Sequence, residues 1–215
     1  MIPLAFDFTG ETVVVFGGGR VGARKARRFA AEADVYVVSP AFADEDFGES
    51  TLVEAEPTTE SVFEFFDAYE PLLAVAATDD AAVNDAVVTV ARERGALVNR
   101  ADRAGSRDGK SVVVPATVED DPVSVAITTG GASPALAKHL REQIEADIEG
   151  AGEMAAITGE IRADLKARGV APDVRRDAVR AVVRSAPVWK ALRAGTAKPR
   201  REAAAVVRAH LGDAE

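Results

Sequence analysis

The stretch Glu11-Thr12-Val13-Val14-Val15-Phe16-Gly17-Gly18-Gly19-Arg20-Val21-Gly22, carried on by residues 23–33, decides the fold. Val13 to Phe16 is an unbroken apolar run, the pattern of a parallel strand buried on both faces. Three glycines end it. Residues 20–31 then carry Ala, Arg and Lys with few breakers and predict a helix. Gly17 to Gly22 has the spacing G-x-G-x-x-G, and its place between a buried strand and a helix gives the motif weight. Gly17 permits the tight turn, Gly19 lets the backbone approach a pyrophosphate, and Gly22 allows the helix to pack close to the strand. The free N–H groups at the helix start face the negative charge. The competing reading is a glycine-rich turn with no ligand.

Working outward, the same rhythm repeats. Val35 to Val38 predicts a second strand, stopped by Ser39-Pro40. Residues 51–55 predict a third, 59–68 a Phe-rich helix, Leu72 to Ala76 a buried strand, 80–94 a helix and 96–98 a short strand. Strands alternating with helices predict an α/β fold with a parallel sheet. Ser111 to Pro115 and Val123 to Thr129 read as strands joined by a turn at Glu119-Asp120-Asp121-Pro122. Ser133-Pro134 is a good helix start, with Ser as cap and Pro in the first turn. That helix is expected to reach Glu149, ended by Gly150 and Gly152. Residues 153–168, 172–184, 187–194 and 199–211 read as helices. The expected division is 1–111, 112–150 and 151–215.

The chain has 215 residues, enough for a sizeable core, and a net charge of −9, which argues against general nucleic-acid binding. Without Cys there is no disulfide, thiolate nucleophile or Cys-ligated metal. No stretch reaches the apolar length of a membrane span and no signal peptide is read at the start, so a cytoplasmic location is expected. Charge is uneven: residues 1–60 hold eleven acids and five bases, whereas residues 169–215 hold ten bases and five acids. The C-terminal bases, among them Arg175, Arg176, Arg180, Arg184, Lys190 and Arg193, form either a solvated face or a positive surface for a polycarboxylate.

Ligands of an open parallel sheet lie off the carboxyl ends of its strands. Ser39 stands there in place of the expected acid, where its hydroxyl can reach an adenosine ribose or Ser39-Pro40 can simply end the strand. No Arg follows at once to grip a 2′-phosphate, which favours NAD over NADP. Thr78 can line the nicotinamide side, with Asp79 as the alternative cap of the next helix. Asn99-Arg100-Ala101-Asp102 follows the last strand of the sheet, and the Asp102 carboxylate can accept a proton, orient a substrate or only cap backbone. Thr129, Gly130, Gly131 and Ser133 form a second loop-to-helix junction, read either as an anion site or as a plain turn and cap. His139, in the following helix, is equally a ligand or a packing residue.

These segments together resemble the siroheme-synthase N-terminal family, precorrin-2 dehydrogenase often combined with sirohydrochlorin ferrochelatase. The resemblance rests on Ile2-Pro3-Leu4 with Phe8 ahead of the glycine loop and on Arg24-Lys25-Ala26-Arg27. It rests further on Ala76-Ala77-Thr78-Asp79-Asp80, on Val98-Asn99 with Asp102, and on Val125 through Ala137, which contains Thr129-Gly130-Gly131-Ala132-Ser133-Pro134. It covers residues 1–148. It implies a Rossmann domain, a small α+β dimerisation region with exchanged elements, an all-helical C-terminal domain and a homodimer. It implies NAD-dependent oxidation of precorrin-2 to sirohydrochlorin, with Fe²⁺ as a further substrate in bifunctional members. It places the catalytic Asp on Asp102, cofactor contacts on Gly19, Arg20 and Val21, near Ser39 and Pro40 and on Thr78, and the family's active-site Ser on Thr129. Arg100-Ala101 departs from the usual apolar residues between Asn and Asp. The C-terminal Arg groups, with Arg100 and Arg103 as added candidates, are then expected to meet the many carboxylates of the substrate, and Asn99 is expected among the substrate-binding residues. The contrasting reading is a regulatory module that senses NAD and catalyses nothing.

Overall fold

The computed structural model describes residues 3–101, 111–195 and 198–212. Two compact units divide the chain: Met1–Val114 with Gly130–Ala132, and Pro115–Thr129 with Ser133–Glu215.

In the first unit, β1 (Thr12–Phe16), β2 (Asp34–Ser39), β3 (Thr51–Glu54), β4 (Leu73–Ala76) and β5 (Leu97–Arg100) form one parallel sheet in the order β3-β2-β1-β4-β5. The helices are α1 (Arg20–Phe29), α2 (Val62–Tyr69) and α3 (Ala81–Arg94). Alternate residues of β1 serve opposite layers, as strand geometry requires. Val14 and Phe16 join Val62, Phe66, Val83 and Val87 in the core under α2 and α3. Val13 and Val15 join Ala23, Ala26, Val35 and Val37 in the core under α1. Because both faces are covered, β1 is apolar without a break, and burying each such side chain contributes about 1.5–3 kcal/mol. Helix α1 turns Gly22, Ala23 and Ala26 to the sheet, and Arg27 and Arg28 complement the dipole at its C-terminal end.

The segment 111–115 corrects the sequence reading. It is no strand: Ser111 makes one isolated parallel bridge to Val98, and Pro115 has no N–H to continue a ladder. The strand lies at β6 (Ala116–Asp120), antiparallel to β7 (Val123–Ile127). Glu119 pairs with Ser124 and Asp120 with Val123, so two residues expected in the turn belong to the ladder. The connection shrinks to Asp121-Pro122.

The second unit continues with α4 (Pro134–Asp147), α5 (Ala151–Ala167), α6 (Pro172–Val183), α7 (Ala186–Arg193) and α8 (Pro199–Gly212). Gly152 does not end a helix; it lies in the first turn of α5. A Cβ there would overlap the Asp121 carbonyl oxygen, and its N–H donates to Asp120 Oδ2 at 3.2 Å. The glycine is there so that the hairpin tip can dock on the helix start. The helices close around Met154, Ile157, Leu165, Ala178, Val182, Val188, Leu192, Ala203 and Val207. Among the described residues, no helix is long and apolar enough to cross a membrane.

Candidate functional site

The carboxyl ends of β1, β2, β4 and β5 meet at one edge of the sheet, and the glycine loop lies over it. Gly17 has φ +117°, and a Cβ on it would overlap the Ala77 carbonyl oxygen just beyond β4. Its N–H donates to the Val38 carbonyl at 2.9 Å, and Ala77 N–H donates to Phe16 O at 2.9 Å. Gly22 is closed off in the same way by the Gly17 carbonyl oxygen. Gly19 differs: no heavy atom lies within 4 Å of where its Cβ would sit. It is the N-cap of α1, and no side chain caps that helix start. Clamped glycines on either side of an open one, beside uncapped helix N–H groups, fit a bound pyrophosphate.

Two positions read from sequence, Ser39 and Thr78, converge on this loop. A Cβ on Gly18 would stand 2.8 Å from both Cβ and Oγ of Ser39 and would overlap the Ala41 carbonyl oxygen. Gly18 is therefore as constrained as the motif glycines beside it. The motif leaves its position free, so only the third glycine in the run signals it. Ser39 is buried, and its hydroxyl donates to the Ala41 carbonyl at 2.7 Å, shaping the turn. Pro40 beside it is exposed. Thr78 packs at Gly17, its nitrogen 3.0 Å from that glycine's Cβ position.

Thr78 is held by Asn84, which sequence reasoning passed over. The Thr78 N–H and Oγ1–H donate to Asn84 Oδ1 at 3.1 and 2.8 Å, and Asn84 Nδ2–H donates back to Thr78 O at 2.9 Å. Asn84 is 1% exposed. An amide among the apolar residues of α3, six positions after Thr78, is the signal that was there to find. The cap of α3 is Asp80 and not Asp79: Asp80 Oδ1 accepts from Ala82 N at 2.7 Å and Val83 N at 3.3 Å. Asp79 comes one residue too early to reach those donors.

Arg20 and Val21 are exposed at the start of α1. Arg20 Nε donates to Glu45 Oε1 at 2.9 Å, joining the helix to the loop after β2. Asn99 and Arg100 end β5 opposite Val75 and Ala76. Asn99 is buried; its Nδ2–H donates to Val112 O at 2.8 Å, while its Oδ1 meets no donor among the described residues. Arg100 pairs with Asp85 on α3, an acid the sequence reading did not single out. Asp102 and Arg103 lie outside the described residues.

At the second junction, Thr129 Oγ1 donates to Ser133 O at 3.1 Å and accepts from Ser133 N at 3.2 Å. Ser133 Oγ accepts from Leu136 N at 3.2 Å as the cap of α4. Gly130 and Gly131 have φ +68° and +87°. The turn and the cap together engage both hydroxyls. His139 is exposed on α4. Among the described residues no three His, Asp or Glu side chains gather as a metal cage.

Comparison with known proteins agrees with this architecture. A family profile described as "Putative NAD(P)-binding" matches residues 4–116, and one described as "Sirohaem biosynthesis protein central" matches residues 120–147. A precorrin-2 dehydrogenase of Methanosarcina barkeri (strain Fusaro / DSM 804) is 31% identical over 98% of this chain and 95% of its own. A siroheme synthase of Chromobacterium violaceum is 36% identical over 81% of this chain, and the match spans 37% of that protein. The solved structure titled "SirC, precorrin-2 dehydrogenase" superposes with a TM-score of 0.71 at 25% identity, covering 97% of this chain and 99% of the other.

Proposed function

The chain belongs to the precorrin-2 dehydrogenase family, and on that premise we propose that it oxidises precorrin-2 to sirohydrochlorin with NAD⁺ as the hydride acceptor. The observation that carries this reading is the glycine cradle, clamped at Gly17, Gly18 and Gly22 and open at Gly19. When bound, the cofactor supplies a nicotinamide ring that accepts hydride. The chain's own part is positioning. Backbone N–H groups after Gly19 hold the pyrophosphate. Arg20 and Val21 flank it, and Ser39 with Pro40 borders the adenosine ribose. Thr78, fixed by Asn84, borders the nicotinamide side. As a substrate C–H gives up hydride, a proton leaves the macrocycle to Asp102 or solvent, and the electron pair left behind becomes a new conjugated double bond. Ser39 in place of an acid, with no Arg directly after it, favours NAD over NADP.

The same reading makes 112–150 a dimerisation region between a cofactor domain and a helical domain, in a homodimer of the cytoplasm. In its support, α4 is a 14-residue helix with none of its side chains buried, and Leu136 on it is 48% exposed. The same reading assigns substrate contacts to Thr129, Gly130, Gly131 and Ser133, and also to Asn99 and Arg100.

Anaerobic mixing of the chain with precorrin-2 and NAD⁺ is expected to yield sirohydrochlorin and one NADH per turnover. NAD⁺ binding without NADH formation would overturn the enzymatic reading and favour a sensor. Asp102→Ala is expected to lose turnover while keeping NAD⁺ affinity; unchanged turnover removes Asp102 from the mechanism.

A further inference from the structure

The helical unit carries an open depression of about 690 Å³ lined by Arg184, Ala186, Trp189, Lys190, Arg193 and Ala194. Three of its six lining residues are cations and none is an acid, in a chain whose net charge is −9. Among the described residues neither Arg184 nor Lys190 has an ion-pair partner. Some other cations of the same unit do have partners: Arg200 with Glu153 and Glu160, Arg180 with Asp177, and Arg168 with Asp164. Helix dipoles account for some of this positive charge, since Arg184 caps the end of α6 and Lys190 and Arg193 sit in the last turn of α7. They do not account for an aromatic ring in the middle of it.

Trp189 is fixed there. Its neighbours on α7, Val188 and Leu192, are buried in the core, and Trp189 is half-buried with part of its ring packed against that core, while Lys190 and Arg193 are exposed. The indole N–H donates to the Val183 carbonyl at 2.7 Å, so the ring's polar edge is satisfied and its plane is set. The Arg193 guanidinium lies 5.7 Å from the ring centroid. A held aromatic surface rimmed by cations recognises a flat conjugated body with oxyanions at its margin. The body stacks on the indole and guanidinium planes while carboxylates meet Arg184 and Lys190. A polyanionic polymer would be repelled by the acidic remainder of the chain.

We propose that this depression is a binding site for a planar, conjugated polycarboxylate, separate from the dinucleotide cradle. Its occupant is the chemical class to which the macrocycle named above belongs, and to that extent the inference rests on the proposed function. It gives the polycarboxylate reading of the C-terminal bases a defined place, at Arg184, Lys190 and Arg193.

Trp189 is the chain's one tryptophan, so its fluorescence reports on this site. The test titrates the full chain, without NAD⁺, with benzenehexacarboxylate and separately with inorganic phosphate. The expected result is a saturable change in Trp emission with benzenehexacarboxylate that weakens as salt is raised. Phosphate is expected to bind at least about tenfold more weakly, for want of a ring to stack. The double variant Arg184→Glu/Lys190→Glu is expected to lose about tenfold or more in affinity. A single variant, Lys190→Gln, gives a smaller loss and covers the case in which the double variant fails to fold. No saturable change, equal affinity for phosphate, or unaltered affinity in the variants would each overturn the site. Failure of NADH formation in a protein that still binds benzenehexacarboxylate would sink the dehydrogenase reading and leave this one standing.

Discussion

The chain has two places where paired or tripled glycines lead into a helix, and they are built on different principles. At Gly17 to Gly22, packing selects glycine: side chains at positions 17 and 18 would collide with backbone at Ala77 and Ala41, and one at position 22 with the loop's own Gly17 carbonyl. At Gly130 and Gly131, backbone angle selects it. A Cβ on Gly130 would meet nothing within 4 Å, yet φ is +68°. The first junction leaves its helix without a side-chain cap; the second closes its own with Ser133. A glycine run is thus a cradle where neighbouring backbone presses on it from outside and the helix N–H groups stay open. It is a turn where only its own torsions need it.

The sharpest way to break this contrast is Gly22→Ala. The added methyl has no room beside the Gly17 carbonyl, so α1 must lift off β1, at a cost of about 3 kcal/mol or more. Urea denaturation of the variant with no nucleotide present measures it. A loss under about 1 kcal/mol would show that the loop gives way easily and that packing does not define it. Gly19→Asp separates binding from folding. Its side chain enters open space, so the midpoint of denaturation is expected to move little. The carboxylate occupies the place of the pyrophosphate, and NAD⁺ affinity by calorimetry is expected to fall by about a hundredfold or more. Retained affinity would remove the pyrophosphate from the cradle.

The second junction should respond to conformation alone. Gly130→Ala is expected to cost about 1–2 kcal/mol, the price of a left-handed residue, with no steric component. A loss as large as that of Gly22→Ala would mean that the two junctions are built alike.

The difference between the junctions also explains what could be read beforehand. The β1–loop–α1 unit was legible because a strand buried on both faces writes itself as an unbroken apolar run, and because glycine spacing encodes local geometry. The hairpin was harder. A two-stranded ribbon needs no apolar run, so Glu119 and Asp120 looked like turn residues although they pair across the ladder. Gly152 looked like a helix stop because its real constraint, the Asp121 carbonyl, arrives from 31 positions away (152 − 121). Gly18, Asn84 and Asp85 answer to partners on other elements: the Ala41 carbonyl, Thr78 and Arg100. Local pattern names the cradle; the groups that hold it rigid belong to tertiary structure.

The helices that leave the two junctions carry lysines in opposite situations, which gives the comparison a pH test. On α4, Lys138 is well exposed and lies 3.9 Å from Glu142 one turn on. On α1, Lys25 is half-buried between Arg24 and Arg28, and its amine is pushed down from 10.5 to about 8, first by burial and then by those two cations. Below about pH 8 both folded and unfolded chains carry the charged amine, and the folded state bears the full cost of holding it. Between about 8 and 10.5 the unfolded chain keeps a proton that the folded chain has released, so this group makes stability rise with pH across that window. Lys25→Met keeps the apolar stem and removes the charge. It is expected to raise the denaturation midpoint at neutral pH and to flatten that rise, whereas Lys138→Met is expected to leave the slope between pH 8 and 10.5 as it was. An unchanged slope in Lys25→Met would show that the amine reaches solvent, and that positive charge beside the cradle costs the fold nothing.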